Sequence, residues 1–345
     1  SSVANPGTAQ SSSTLKTTNL WFSLWMDRSP KRARRNLSGV VGNEERSLGE
    51  LPTPAVLCLP TPAVLCTPED IFNLPLTEDF FIVDTRSSEA FALGRLPGAR
   101  CFPVPTAEAA TEKIQLESRA ASWVAAQVGA YEPEQKSRAV VLGDPAAADN
   151  HSMLIAIVLA IRAQHCFQRG HLQKVLVSME GHAAVAAKYA FLVGKEWSDL
   201  PVTYPSEVQP QLFVGSQGAA KSKLVFEHLN IGAVVNATRE LANFHEGDAT
   251  LQASYLKLVL DDDPLETLEE PIEQALPLIA SHLRAGRNVL VHCHQGQSRS
   301  VSIVVAHLMS TFGCGYDRAL AIVRRARPSA RPNQGFEMEL RSLEG

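Results

Sequence analysis

Short runs of uninterrupted apolar residues, each set apart from the next by a helical stretch, restrict this chain to a layered α/β architecture. Phe80-Phe81-Ile82-Val83, Ala139-Val140-Val141-Leu142 and Val175-Leu176-Val177 lie in the first part of the chain. Leu212-Phe213-Val214, Ala233-Val234-Val235-Asn236, Tyr255 to Leu260 and Val289-Leu290-Val291-His292 lie in the second. A strand with one wet face alternates apolar and polar residues. A strand that is apolar throughout is buried on both faces, as in a parallel sheet covered by helices. In the second part the segments around these runs read as helices at roughly 218–229, 267–285, 299–312, 316–327 and 333–343. In 299–312, Val301, Val304, Val305, Leu308 and Phe312 recur at helical spacing on one face. Two such alternations in 345 residues predict two α/β units.

The first unit is expected over 67–200. Thr67-Pro68-Glu69-Asp70 has the pattern of a helix start, with Thr as N-cap and Pro at the first helical position. A Pro-bearing join, Asp199-Leu200-Pro201 to Tyr204-Pro205, leads into the second unit, 201–345. Residues 1–66 differ from both. They are rich in Ser, Thr, Pro and Asn, carry the basic cluster Lys31-Arg32-Ala33-Arg34-Arg35, and repeat Leu51–Cys58 letter for letter as Leu59–Cys66. Two eight-residue copies cannot bury a core, so this part is expected to be a disordered or low-complexity segment.

Composition excludes several classes of function. A formal net charge of −4 supplies no general attraction to nucleic acid. The longest apolar run, Met153 to Ile161, falls short of the ~18 residues of a membrane span. The six cysteines are scattered, with no CxxC pair. They fit a reducing compartment, cytoplasmic or nuclear, rather than a disulfide framework. No metal or cofactor is implied.

The chemistry is concentrated in Val289-Leu290-Val291-His292-Cys293-His294-Gln295-Gly296-Gln297-Ser298-Arg299-Ser300, which reads as strand, tight loop and helix start. Five residues separate Cys293 from Arg299, enough for the loop to curl so that its N–H groups converge on one point. The helix beginning there adds a dipole that favours an anion. Gly296 permits the turn, and the planar fork of Arg299 matches two phosphoryl oxygens. The same positive field favours a thiolate, the nucleophilic form of Cys. Phosphate binding by His294, Gln295, Gly296, Gln297, Ser298 and Arg299 and activation of Cys293 thus come from one device. A structural Cys beside a surface Arg would leave the ordered run of His, Cys, Gly, Arg and hydroxyl without a reason.

This stretch resembles the HCxxGxxR[ST] signature of the cysteine-dependent tyrosine phosphatases. Ser298-Arg299-Ser300, Ala306-His307-Leu308-Met309, Pro332-Asn333-Gln334-Gly335-Phe336 and Leu212-Phe213-Val214-Gly215-Ser216 resemble the dual-specificity branch. The resemblance covers 205–345 and implies a dual-specificity phosphatase fold with Cys293 as nucleophile and Arg299 as phosphate clamp. It also implies that Ser300 supports the departing thiolate. A general acid is implied on the loop before helix 267–285, where Asp261-Asp262-Asp263 compete. The family spacing to Leu268 selects Asp262, and a solvated acidic turn before Pro264 is the other reading. Gln295 stands where the branch usually carries a small residue. His292 is read as neutral loop support and Asn333 as a helix cap.

The first unit resembles the rhodanese-like fold. Asp84-Thr85-Arg86, Gly94-Arg95-Leu96-Pro97-Gly98-Ala99 and Met179-Glu180-Gly181-His182 carry that resemblance. The loop after the central strand, Gly143-Asp144-Pro145, has no Cys, and Cys166 lies beyond it, so sulfur transfer is not expected. A rhodanese-like unit followed by a dual-specificity phosphatase is the layout of the MAP kinase phosphatases. That layout implies a phosphoprotein substrate and brings a protein kinase in as a partner. Cys101 to Gln135 has no Arg pair of the kind that docks kinases there. The serine/threonine/tyrosine-interacting-like proteins share the layout but lack the catalytic Cys, which makes a phosphoprotein-binding adaptor the alternative. All the chemistry falls in 201–345, so that unit is expected to fold and act on aryl phosphates alone.

Overall fold

The computed structural model describes residues 63–74, 81–102, 113–128, 138–144, 150–163, 174–195 and 203–344. The basic cluster 31–35, the first copy of the repeat, the join at 199–202 and Cys166 lie outside them.

The apolar runs form strands of two five-stranded sheets. The first sheet holds β1 (Ala63–Leu65), β2 (Phe81–Asp84), β3 (Ala99–Cys101), β4 (Arg138–Leu142) and β5 (Lys174–Ser178), in the order β1-β5-β4-β2-β3. Every pairing in it is parallel. Its helices are α1 (Pro68–Phe72), α2 (Ser88–Leu93), α3 (Lys113–Val128), α4 (Asn150–Ala163) and α5 (Gly181–Lys188). Residues 139–142 of β4 are fully buried, which explains why they are apolar without alternation. Thr67 caps α1 as expected, in a capping box with Asp70.

Order begins earlier than the sequence suggests. Ala63–Leu65, from the second copy of the repeat, pairs with Val175–Val177 of β5, inside the stretch expected to be a disordered or low-complexity segment. A three-residue strand has no period of its own, and its partner makes it a strand. β3 escaped notice for the same reason.

The second sheet holds β6 (Ser206–Gln209), β7 (Leu212–Gly215), β8 (Ile231–Ala237), β9 (Ser254–Leu258) and β10 (Asn288–His292), in the order β6-β7-β10-β8-β9. β6 is antiparallel to β7 and the other pairings are parallel. Around it lie α6 (Gln217–Lys221), α7 (Lys223–Leu229), α8 (Glu269–Arg284), α9 (Arg299–Phe312), α10 (Tyr316–Ala326) and α11 (Gln334–Ser342). The single helix expected at 218–229 is two, because Ser222 takes an extended backbone between them. β10 is the central strand, and α9 is buried from Arg299 to Met309. The carboxyl end of the central strand and the amino end of the most buried helix therefore meet at 293–298. In open α/β sheets ligands bind at that kind of position.

One apolar cluster spans both sheets. Ile71, Phe72, Tyr189 and Leu192 cluster with Phe213, Val225, Phe226 and Leu290. Phe72 stacks on Tyr189 at 4.4 Å between ring centroids and meets Phe213 edge-on at 6.3 Å. At the centre of this seam Glu207 is buried, with 3% exposure. Its Oε1 accepts from Lys188 Nζ at 2.9 Å and from the Gln211 N–H at 3.0 Å, and its Oε2 accepts from the Tyr189 hydroxyl. The Asn73 amide pairs with the Glu207 backbone on both sides, each bond 2.8 Å. Arg325 of α10 grips Asp70 of α1 through Nε at 3.0 Å and Nη2 at 2.7 Å.

Candidate active site

β10 delivers Cys293 to the floor of a cleft of about 390 Å³ that also takes in Asp262, Arg299, Arg331 and Asn333. Cys293 is 2% exposed. The Gly296 N–H donates to its sulfur at 3.1 Å, and the Ser300 hydroxyl donates at 3.3 Å. The loop can curl this tightly because Gly296 has φ +70°, and a Cβ there would come 2.5 Å from the Gly215 carbonyl oxygen. The loop thus needs glycine for both its conformation and its close approach to β7.

Arg299 opens α9 beside the sulfur. Its Nη1 donates to Glu240 Oε2 at 2.8 Å and to the Leu260 carbonyl at 3.2 Å. Its buried Nε has no hydrogen-bond partner. An unpaired buried donor is costly, and this one belongs to a residue that lines the cleft, where an anion would satisfy it. The hydrogen bond from Arg299 holds the Glu240 carboxyl below its ordinary range.

Asp262 reaches the cleft from the loop after β9. Its Oδ1 accepts from Ser298 Oγ at 2.6 Å and from Asn333 Nδ2 at 3.0 Å, while Oδ2 stands 3.9 Å from Arg299 Nε. The loop is seated against α11, where a Cβ on Gly335 would come 1.9 Å from the Pro264 carbonyl oxygen. Asp261 instead pairs with Arg239 at 2.7 Å, and Asp263 accepts from the Leu265 N–H at 2.8 Å.

The structure thus brings Cys293, Arg299 and Asp262 around one cleft, with Ser300 buried and bonded to the Cys293 sulfur. Of the loop residues, Gly296 and Ser298 are buried, while His294, Gln295 and Gln297 are exposed at the rim. His294 Nε2 lies 3.0 Å from Gln217 Nε2, which turns the imidazole toward α6. Burial pushes the His292 imidazole down to about 4, so it is neutral at pH 7. Asn333 caps α11 by accepting from the Phe336 N–H at 3.0 Å, and it also holds Asp262, a contact its sequence motif did not reveal. Glu240 and Arg331 carried no signal. Each reaches the site only through the folding of distant loops. Among the described residues no cluster suited to a metal ion occurs, and no helix is long and apolar enough to cross a membrane.

This arrangement can hold a phosphoryl group against the Cys293 sulfur, with a carboxyl group beside the same cleft. Comparison with known proteins agrees. Residues 212–345 match the family described as "Dual specificity phosphatase, catalytic domain". The chain is 36% identical over 140 residues to Dual specificity protein phosphatase 1 of Arabidopsis thaliana, covering 41% of this chain and 69% of that protein. It is 32% identical over 152 residues to Dual specificity phosphatase 28 of Homo sapiens, covering 44% of this chain and 84% of that protein. It is 36% identical over 141 residues to Serine/threonine/tyrosine-interacting protein A of Xenopus laevis, covering 40% and 63%.

Proposed function

This chain belongs to the dual specificity phosphatases and is a protein phosphatase; we propose that it works through a cysteinyl-phosphate intermediate carried by Cys293. The Cys293 thiolate attacks phosphorus, the bond to the leaving oxygen breaks, and Asp262 gives that oxygen its proton. Asp262 then takes a proton from water as the water attacks the phosphocysteine. The sulfur departs as a thiolate, steadied by the Ser300 hydroxyl, and phosphate is released. Arg299 and the loop N–H groups of residues 294–298 hold the three non-bridging oxygens throughout, where charge develops.

The observation that carries this reading is the environment of the sulfur. Two donors converge on Cys293 Sγ, Arg299 Nε is buried without a hydrogen-bond partner, and Asp262 lines the same cleft. A phosphoprotein-binding adaptor needs the loop and Arg299 but has no use for a hydroxyl on the sulfur or for a carboxyl held in place at 262. Phosphotyrosine is the proposed substrate, with phosphoserine and phosphothreonine accepted.

We assign residues 63–195 to a rhodanese-like unit without sulfurtransferase chemistry. Its all-parallel sheet supports that, as does the bidentate Asp84–Arg86 pair after β2, with Arg86 Nη2 at 2.7 Å from Asp84 Oδ2. The layout makes a phosphorylated protein kinase one candidate substrate. Residues 103–112 and 129–137, within the stretch where a docking sequence would fall, lie outside the described residues. A reducing compartment, cytoplasmic or nuclear, suits the thiolate.

The test is phosphate release by the full chain from a phosphotyrosine peptide and an aryl phosphate. Cys293→Ser should abolish release while the protein still binds inorganic phosphate, because the loop and Arg299 remain. Release undiminished in that variant would refute the mechanism.

A further inference from the structure

Glycine at 296 solves a steric problem and creates a mechanical one. It fits beneath Gly215, but glycine is the residue least able to hold its own backbone in place. Yet catalysis needs the peptide planes on either side of Gly296 fixed, because their N–H groups are the donors that face the phosphate. In a trans peptide the C=O and N–H point in opposite directions. Whatever pulls the carbonyls of Gln295 and Gly296 outward therefore aims the N–H groups of Gly296 and Gln297 inward.

One side chain does both. Arg327, the residue that ends α10, donates through Nε to the Gly296 carbonyl at 2.5 Å and through Nη2 to the Gln295 carbonyl at 3.0 Å. Its Nη1 lies 3.5 Å from the Ser206 hydroxyl of β6. The outcome is visible at one of the two planes, where the Gly296 N–H points at Cys293 Sγ. No carboxylate pairs with Arg327 among the described residues, so its full positive charge stands behind the loop. The anchor is firm at both ends. Two residues upstream Arg325 grips Asp70, and beside Ser206 lies the buried Glu207.

We propose that Arg327 is a positioning residue for the reaction: its guanidinium braces the phosphate loop from behind and keeps two backbone donors aimed at the phosphate. This rests on reading the loop as the phosphate site. Arg327 makes no hydrogen bond to the sulfur, so it acts by holding the loop and by placing its charge behind it.

The experiment compares Arg327→Met and Arg327→Lys with the wild-type full chain. For each, kcat/KM on an aryl phosphate, the affinity for inorganic phosphate by calorimetry, and the thermal midpoint are measured. Loss of a preorganised donor of this kind costs about 10²–10³-fold in rate. Partial misaiming of two donors should therefore lower kcat/KM by ~10–100-fold in Arg327→Met and weaken phosphate binding at least ~10-fold. Arg327→Lys, a point charge that cannot hold both carbonyls in one plane, should recover part of each. The proposal is overturned if Arg327→Met binds phosphate and turns over like wild type. It is equally overturned if activity falls only in step with the folded fraction and Lys does no better than Met. Should the wild-type chain release no phosphate, the phosphatase reading fails separately, and the phosphate affinities of the three proteins still decide the brace.

Discussion

Asp262 shows how one of three adjacent carboxylates is set apart by its surroundings. Both of its donors, Ser298 and Asn333, fall on Oδ1, while Oδ2 stands 3.9 Å from Arg299 Nε, and the proposed mechanism uses this carboxyl as the acid. Asp261 is tied to Arg239, and Asp263 closes its own turn. Asp262→Asn should therefore lower kcat by ~10²–10⁴ on a substrate with a basic leaving group, the usual weight of acid–base catalysis. Asp261→Asn and Asp263→Asn, at exposed ion-pair and turn positions, should cost less than about tenfold. The Asp262→Asn deficit should shrink on a substrate whose leaving group departs without a proton. The check is kcat for the three variants on a poor and a good leaving group. Collapse of a neighbour in place of Asp262 on the poor one would move the acid by a residue.

Elements whose order comes from neighbouring residues were legible in the sequence, and elements whose order comes from a distant partner were not. β10, the loop and α9 form a continuous stretch, so the spacing from Cys293 to Arg299 already specified a curled loop at a helix start. The capping of α1 was legible for the same reason. β1 and β3 are three residues long, and β6 is a short strand in a seam, so each is defined by what lies beside it. The site divides in the same way. Cys293, Arg299 and Ser300 are carried by one motif, while Glu240 reaches Arg299 across 59 positions of sequence and Arg327 reaches Gly296 across 31. Asn333 was legible as a cap. Its second bond, to Asp262, exists only because α11 and the loop after β9 are packed together, with Gly335 admitting the Pro264 carbonyl.

For the whole molecule, the seam between the two sheets is core rather than surface, which predicts that they unfold together. Phe72 is 4% exposed and Phe213 3%, and the buried Glu207 depends on Lys188 and Tyr189 for its partners. A fragment beginning at 203 would expose that apolar face and leave a carboxylate that was built to be buried. Phe72→Ala in the full chain should cost ~3–5 kcal/mol, the usual cost of truncating a buried Phe. It should lower the urea midpoint of the unfolding transition as reported by probes in both halves. A 203–345 fragment with the full chain's midpoint would show the halves to be independent. The phosphatase chemistry itself is tested most directly by the intermediate. In the proposed mechanism the Ser300 hydroxyl steadies the departing sulfur, so the full chain carrying Ser300→Ala should accumulate phosphocysteine. The measurement is mass spectrometry of a rapid acid quench during turnover of a phosphotyrosine peptide. The account predicts a phosphoryl group on the peptide containing Cys293, absent when Cys293 is Ser. A phosphoryl group on another residue, or phosphate release that persists without Cys293, would contradict it.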